Sequence, residues 1–170
     1  MNDETITAIH ARILQPAETT MPLQERIDQM ADAGVVLRVD PDTVDVFAHT
    51  PGDSVLLLTA EPRNNPESWD ALVILPELLK SSPLPMRAAV ADPVASKALA
   101  ARYGVRRFPA LVFLRGGGEQ TYLDALEGLC DWDVYRQALA ALADKTPARP
   151  PSVGIAVVTL PPANGDSSCH

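Results

Sequence analysis

The side chains of this sequence that could take part in thiol or metal chemistry are two cysteines and three histidines. Cys130 and Cys169 lie far apart, so they do not form the cysteine framework of a disulfide-rich fold. His10, His49 and His170 are scattered over unrelated segments. The terminal Cys169–His170 pair supplies two ligands, whereas a structural zinc site usually has four. We predict no catalytic residues, no metal site and no cofactor.

Charge is the second chemical feature, with 14 basic residues against 22 acidic ones and a net charge of −8. Residues 1–53 hold ten acids and three bases, whereas residues 54–145 hold eleven acids and ten bases. Nucleic-acid backbones attract cations, so the composition argues against a nucleic-acid partner. The acidic first third of the chain as a whole predicts a basic partner, although solvated helix faces and helix caps are the better explanation of any single acid.

An alternation of strands and helices must position these residues. Apolar runs of strand length are typical of strands covered on both faces, and Asp-Pro pairs and glycines are typical helix boundaries. The predicted strands are 35–39, 54–59, 86–91, 110–114 and 121–126, and the predicted helices are 3–14, 21–33, 41–48, 70–80, 93–102 and one that begins after Asp131. From residue 35 this order predicts an α/β fold, a mixed sheet flanked by helices on both faces.

The 170 residues are enough for one domain and its extensions. We predict an N-terminal helical segment at 1–34, a domain at 35–145 and a flexible, proline-rich tail at 146–170. The apolar stretch at 153–160 lies in this tail, with an added edge strand or a docking segment as the alternatives to loose order. No apolar run approaches the ~20 residues that span a bilayer, and the first residues do not resemble a secretory signal. The sequence therefore predicts a cytoplasmic protein without membrane insertion.

Residues 103–118, YGVRRFPALVFLRGGG, in this order of elements, resemble the thioredoxin fold. The resemblance extends over about residues 35–143 and implies that Pro109 is the structural cis-proline of that fold. Thioredoxins carry two cysteines separated by two residues after the central strand, and the redox cysteine pair is absent here, because residues 60–70 read AEPRNNPESWD. Cys130 follows the last strand, which predicts a small, partly buried residue on the wrong side of the topology for redox chemistry. A thiol oxidoreductase that uses Cys130 remains an alternative.

A narrower resemblance is to the HyaE/HupG (HoxO) family. The runs VLLLTAEPRNN, LPELLK, AAVAD and YGVRRFPALVFLRGG occur in the order expected for that family. Its members are thioredoxin-like accessory proteins in the maturation of membrane-bound uptake nickel–iron hydrogenases, and they lack the active-site cysteines. The resemblance implies a non-catalytic chaperone or assembly factor for the hydrogenase small subunit, which binds the twin-arginine signal peptide of the small-subunit precursor before export.

Such a signal peptide is basic at its start and then apolar, so that acidic side chains beside a peptide groove would complement it. The resemblance thus implies contacts from the acids around the first helical unit and the loop that replaces the redox motif: Asp40, Asp42, Asp45, Asp53, Glu61, Glu67 and Asp70. Helix capping explains Asp40 and Asp70 equally well. A scaffold that recruits other hydrogenase accessory proteins is the alternative function.

Overall fold

A computed structural model describes residues 21–152. The predicted helix at 3–14, the apolar stretch at 153–160, Cys169 and His170 lie outside the described residues. In chain order the elements are α1 (Leu23–Asp32), β1 (Leu37–Arg38), α2 (Val44–His49), β2 (Gly52–Leu58), α3 (Glu67–Ser81), β3 (Met86–Ala91), α4 (Pro93–Tyr103), β4 (Ala110–Gly116), β5 (Tyr122–Glu127) and α5 (Trp132–Ala141), followed by a 3₁₀ turn at Leu142–Asp144.

The five strands form one mixed sheet in the order β1-β3-β2-β4-β5. β1, β3 and β2 are parallel, whereas β4 is antiparallel to both β2 and β5. Leu56, at the centre of β2, lies between Ala89 of β3 and Val112 of β4. The predicted thioredoxin-like architecture is confirmed. We call the end of the sheet where the parallel strands finish its carboxyl end, and the opposite end its amino end.

The two faces of β2 lead into two separate cores, because successive side chains of a strand point to opposite faces. Val55 and Leu57 face the core formed with α1, α3 and α5. Leu56 and Leu58 face the core formed with α2 and α4. All four side chains are fully buried, which is why this strand reads as a continuous apolar run. The helices on the two faces hold the loops at the carboxyl end of the sheet in place.

The helix boundaries differ from the sequence prediction by three residues at the starts of α2 and α3, and the change at α3 concerns the loop after β2. The helix begins at Glu67, three residues earlier than predicted, so the polar loop after β2 is shorter. The Asn65 side chain accepts hydrogen bonds from the backbone N–H and the hydroxyl of Ser68, at 3.0 and 2.8 Å. These bonds satisfy donors of the first helical turn that the helix itself leaves unpaired. In α5, Tyr135 and Leu139 are buried, whereas Trp132 at its start is 42% exposed.

Both flanks of the predicted domain at 35–145 make contacts with it. Leu23, Ile27 and Met30 of α1 belong to one of the two cores. Beyond residue 145, the Ala148 N–H donates to the Tyr122 carbonyl at 2.8 Å, and Ala148 and Tyr122 form an antiparallel bridge. The first residues of the predicted tail therefore contact the sheet, and the flexibility of the tail stays a prediction. The division at residues 34 and 145 stays a prediction.

Candidate functional site

The carboxyl end of the sheet gathers four loops that the sequence places far apart. β1 leads to Asp40, β2 leads to the loop at 59–66, and β3 leads to Asp92. Since β4 runs in the opposite direction, the loop that precedes it reaches the same end, and Ala110 pairs with Leu58. This is the end at which open α/β sheets bind their ligands.

The loop at 59–66 is anchored at both of its ends. The buried Thr59 N–H donates to the Ser96 hydroxyl at 2.8 Å, and the Thr59 hydroxyl donates to the Ala91 carbonyl at 2.8 Å. The next residue joins the start of the loop to α3, because the Ala60 N–H donates to the Ser68 hydroxyl at 2.9 Å. Near the end of the loop the Asn65 side chain accepts from Ser68, so both ends are held by hydrogen bonds.

The peptide bond between Phe108 and Pro109 is cis, at the position that the thioredoxin resemblance predicts. The backbone of this cis-proline loop is hydrogen-bonded within the protein. Glu127 Oε2 accepts from the N–H groups of Arg106 and Arg107, at 3.2 and 2.8 Å. Asn65 Nδ2 donates to the Phe108 carbonyl at 2.9 Å, and the Pro109 carbonyl accepts from the Gly128 N–H at 2.6 Å. Few backbone N–H and carbonyl groups of the cis-proline loop are therefore left to form hydrogen bonds with a bound peptide.

Gly128 is required where β5 leaves the sheet. Its φ is +78°, a conformation that side chains other than glycine disfavour. A Cβ on Gly128 would lie 1.8 Å from the Arg107 guanidinium. Glycine thus lets the Arg107 side chain lie against the backbone at this position.

Cys130 lies at the carboxyl end of the sheet, near the start of α3, rather than on the far side of the fold. The neighbouring Leu129 N–H approaches Glu67 Oε2 at 3.4 Å, which places the segment at the start of α3. The sequence prediction places Cys130 on the side of the topology away from the redox position, and this prediction is wrong. β5 runs antiparallel to β4 and therefore ends at the carboxyl end of the sheet. Burial raises the pKa of the Cys130 thiol, with the nearby Arg107 charge opposing the shift. A raised pKa means less thiolate, the nucleophilic form. Within residues 21–152 Cys130 is the one cysteine.

Two of the seven predicted acids, Asp45 and Asp53, are held in ion pairs. Asp45 pairs with Arg102, and this hydrogen-bonded guanidinium lowers the pKa of the Asp45 carboxyl. Asp53 lies at the amino end of the sheet, where Arg115 Nε donates to it at 2.6 Å and Nη2 at 3.2 Å. The acids are therefore not gathered on one surface. Adjacent turns in the sequence can lie at opposite ends of a strand, and β2 carries Asp53 to the end away from Glu61.

The other five acids lie at or near the carboxyl end. Asp40 Oδ1 accepts from the backbone N–H groups of Asp42 and Thr43 and from the Thr43 hydroxyl. The bonds from Thr43 lower the pKa of the Asp40 carboxyl. Capping of a turn thus explains Asp40, as one reading of the sequence expects. The set is exposed to solvent and comprises Asp40, Asp42, Glu61, Glu67 and Asp70.

An open cleft of about 630 Å³ lies next to the loop at 59–66. Its wall is mainly apolar. The charged side chains in it are those of Glu61 and Arg63, from the loop at 59–66, and of Asp92, which follows β3. The sequence does not predict this cleft, because its residues come from three separate segments. The available signal is an apolar residue, Val94, directly after the Asp-Pro pair that begins a helix. The lining residues are Met21, Pro22, Leu23, Gln24, Glu61, Pro62, Arg63, Trp69, Asp92, Pro93 and Val94.

Two further observations concern metal binding and membrane spans in the described part of the chain. Across residues 21–152 no group of three or more His, Cys, Asp or Glu side chains could hold a metal ion. In the same range no helix combines the length and the apolar character that a membrane span requires.

Comparison with known proteins shows which family and which relatives the chain resembles. Residues 27–135 match the family described as "Hydrogenase-1 expression protein HyaE". The chain is 37% identical to the hydrogenase expression/formation protein HoxO of Cupriavidus necator over 163 residues, which is 94% of this chain and 97% of that protein. It is 32% identical to the hydrogenase expression/formation protein HupG of Bradyrhizobium diazoefficiens over 124 residues, 71% of this chain and 82% of that protein.

Among solved structures, a thioredoxin variant from Halobacterium salinarum superposes with a TM-score of 0.51 at 21% identity. The match covers 65% of this chain and 93% of the thioredoxin. At this identity the likeness concerns the fold alone.

Proposed function

The chain belongs to the HyaE family of hydrogenase expression proteins, and we propose that it binds the twin-arginine signal peptide of the hydrogenase small-subunit precursor before export. In this proposal it is a chaperone that acts by reversible binding in the cytoplasm. Membership of the family already gives it a role as an accessory protein of hydrogenase maturation. The proposal adds the partner and the segment of the partner that is bound.

The observation that carries the proposal is a set of acids at the carboxyl end of the sheet that have no ionic partner among residues 21–152. Within residues 21–152, Asp40, Asp42, Glu61 and Asp70 are absent from every salt bridge. All four are exposed. Carboxylates that neutralise no charge of their own protein attract a basic segment over a distance of about a Debye length.

Apolar surface at the same end supports the second half of the proposal. Val94 is 81% exposed, and Leu129 is 38% exposed. An apolar stretch that follows the basic residues would bury such side chains, at roughly 25 cal/mol per Å² removed from water. Charge would then steer the association, and apolar contact would hold the complex.

Binding of the purified chain to the small-subunit precursor, with and without its signal peptide, tests the proposal at two salt concentrations. We expect binding that requires the signal peptide and weakens as salt rises. Equal binding to both forms would move the site to the mature subunit. Binding to neither form would overturn the proposal and favour the scaffold that recruits other accessory proteins.

A double variant locates the charge effect on the protein. Glu61→Gln with Asp70→Asn removes two exposed carboxylates that support no ion pair, so we expect folding to be unchanged and affinity to fall about 3- to 10-fold at low salt. The matched control, Asp45→Asn, also removes a carboxylate but one already neutralised by Arg102. An equal loss of affinity in the control would show that only net charge matters.

The thiol alternative has its own test. Insulin reduction should proceed no faster with the wild type than with Cys130→Ala, because the Cys130 pKa is raised and residues 21–152 hold no second thiol. Activity that disappears with Cys130→Ala would revive the oxidoreductase.

A further inference from the structure

The cleft beside the loop at 59–66 lies where two neighbouring parallel strands send the chain to opposite faces of the sheet. β2 continues into α3, which packs in one core, and β3 continues into α4, which packs in the other. The two connecting loops diverge at this point and leave a crevice between them. Crevices of this kind are the usual ligand sites of open α/β sheets.

The crevice lies on one side of the loop at 59–66 and is open to a ligand. On the other side lies the cis-proline loop, whose backbone groups are not free to pair with a peptide strand. An extended peptide adds to a fold by hydrogen-bonding to unpaired backbone groups. At the cis-proline loop, Glu127 occupies the N–H groups of Arg106 and Arg107, and Asn65 occupies the Phe108 carbonyl. A bound segment there would have to displace both side chains.

Apolar groups make up most of the crevice wall. Met21, Pro22 and Leu23 come from the start of α1, Pro62 and Trp69 from the β2–α3 connection and α3, and Pro93 and Val94 from the start of α4. Val94 is the most exposed large apolar side chain of the described residues, at 81%. Two carboxylates adjoin this wall, Glu61 and Asp92, with Arg63 as the one cation of the lining.

We propose that this crevice, which we call the switch cleft, holds the apolar stretch of the bound signal peptide, with the basic residues of the peptide directed to the carboxylates at its rim. The proposal rests on the proposed function. The occupant follows from charge and shape together. The cleft has a volume of about 630 Å³, and its apolar wall adjoins Glu61. Asp40 and Asp42 follow β1, the strand next to β3. One basic and apolar segment satisfies both parts.

Val94→Asp tests the switch cleft, with Val46→Asp as the matched control. Val46 is 75% exposed, lies in the first turn of α2 and does not line the cleft. An acid in the first turn of a helix is favourable, so both variants should fold like the wild type. The added carboxylate attracts the basic part of a peptide, and a loss of affinity therefore reports a lost apolar contact.

The binding measurement uses the full chain carrying Trp132→Phe, which leaves Trp69 in the cleft as its single tryptophan. A synthetic signal peptide of the small subunit is titrated, and Trp69 fluorescence is read alongside calorimetry. We expect a change in Trp69 emission, an affinity at least about tenfold weaker for Val94→Asp, and an unchanged affinity for Val46→Asp.

The other outcomes separate a failure of the switch cleft from a failure of the proposed function. Tight binding that Val94→Asp leaves unchanged overturns the switch cleft and keeps the proposed function. A loss confined to Leu129→Asp moves the site to the cis-proline side and overturns the switch cleft. Equal losses in Val94→Asp and Val46→Asp overturn it as well. No binding by the wild type, in calorimetry or fluorescence, overturns the proposed function and the switch cleft together.

Discussion

The two ends of the sheet use their charged residues differently. At the amino end, Arg115 donates to the Asp53 carboxylate and to the carbonyls of Leu142 and Lys145. At the carboxyl end, Asp42, Glu61 and Asp70 are exposed and neutralise no cation among the described residues. Charges at one end hold the strands to the C-terminal elements, while charges at the other end are available to a partner.

Glycine shows the same contrast. A Cβ on Gly116, at the amino end, would lie 2.0 Å from the Thr50 carbonyl oxygen. A rigid backbone atom blocks any larger residue there. At Gly128, near the carboxyl end, the obstacle is the end of the flexible Arg107 side chain. At Gly116 the obstacle to a side chain is therefore rigid backbone, whereas at Gly128 it is a side chain that can move.

The largest expected effect is on stability at the amino end. Arg115→Ala leaves the Asp53 carboxylate, only 10% exposed, without its cation, and we expect the free energy of unfolding to fall by about 2–4 kcal/mol. Arg63→Ala, a cation at the carboxyl end, should change it by less than about 0.5 kcal/mol. Urea unfolding at neutral pH measures both. Equal effects of the two substitutions would break the comparison between the ends.

A smaller loss is expected at the carboxyl end from Asn65→Ala. The substitution removes the bond to the Phe108 carbonyl and both bonds from Ser68, which should cost about 1–2 kcal/mol. Asn65→Asp keeps the acceptor for Ser68 and loses the donor to Phe108, so its stability should lie at or below that of the wild type. Urea unfolding with hydrogen exchange at Ser68 separates the two contributions. Wild-type stability in Asn65→Ala would mean that the loop is held by other contacts.

The smallest effect concerns pH and the exposed pair between Asp45 and Arg102. Arg102 lowers the Asp45 pKa below 3.8, so the stabilisation is present above pH 3.8 and is lost as pH falls through the lowered pKa. At neutral pH Asp45→Asn should unfold more easily by less than about 1 kcal/mol, since exposed pairs contribute little. The difference should vanish in strong acid. A difference that persists in acid strong enough to protonate Asp45 would assign the effect to something other than this charge.

Much of the fold could be predicted from local patterns. The apolar run of β2 and the Asp92 cap of α4 are local signals, and the structure has Asp92 Oδ1 accepting from Val94 and Ala95 N–H groups at 2.9 and 2.8 Å. The start of α3 was harder to predict. It depends on the Asn65 side chain, which is held by the distant Phe108 carbonyl as well as by Ser68.

The candidate site was less predictable, because it depends on strand direction and on pairs distant in sequence. Arg102 and Arg115 lie 57 and 62 residues from the acids they neutralise, and no local pattern indicates such pairing. Cys130 was misplaced for a related reason, since the order of elements alone does not say at which end of the sheet β5 finishes. Glu61, in contrast, follows directly after a strand, where the sequence does indicate a ligand-binding end.

The bridge between Tyr122 and Ala148 bears on how the protein stays dispersed. β5 is the outermost strand of its side of the sheet, and an uncovered outer strand is a template for strands of other molecules. Ala148 occupies the Tyr122 carbonyl, and Lys145 pairs with Asp124 on the same strand. A chain shortened to end before residue 145 would leave the Tyr122 carbonyl without its Ala148 partner and Asp124 without Lys145, and we expect such a chain to self-associate more readily while its sheet remains intact.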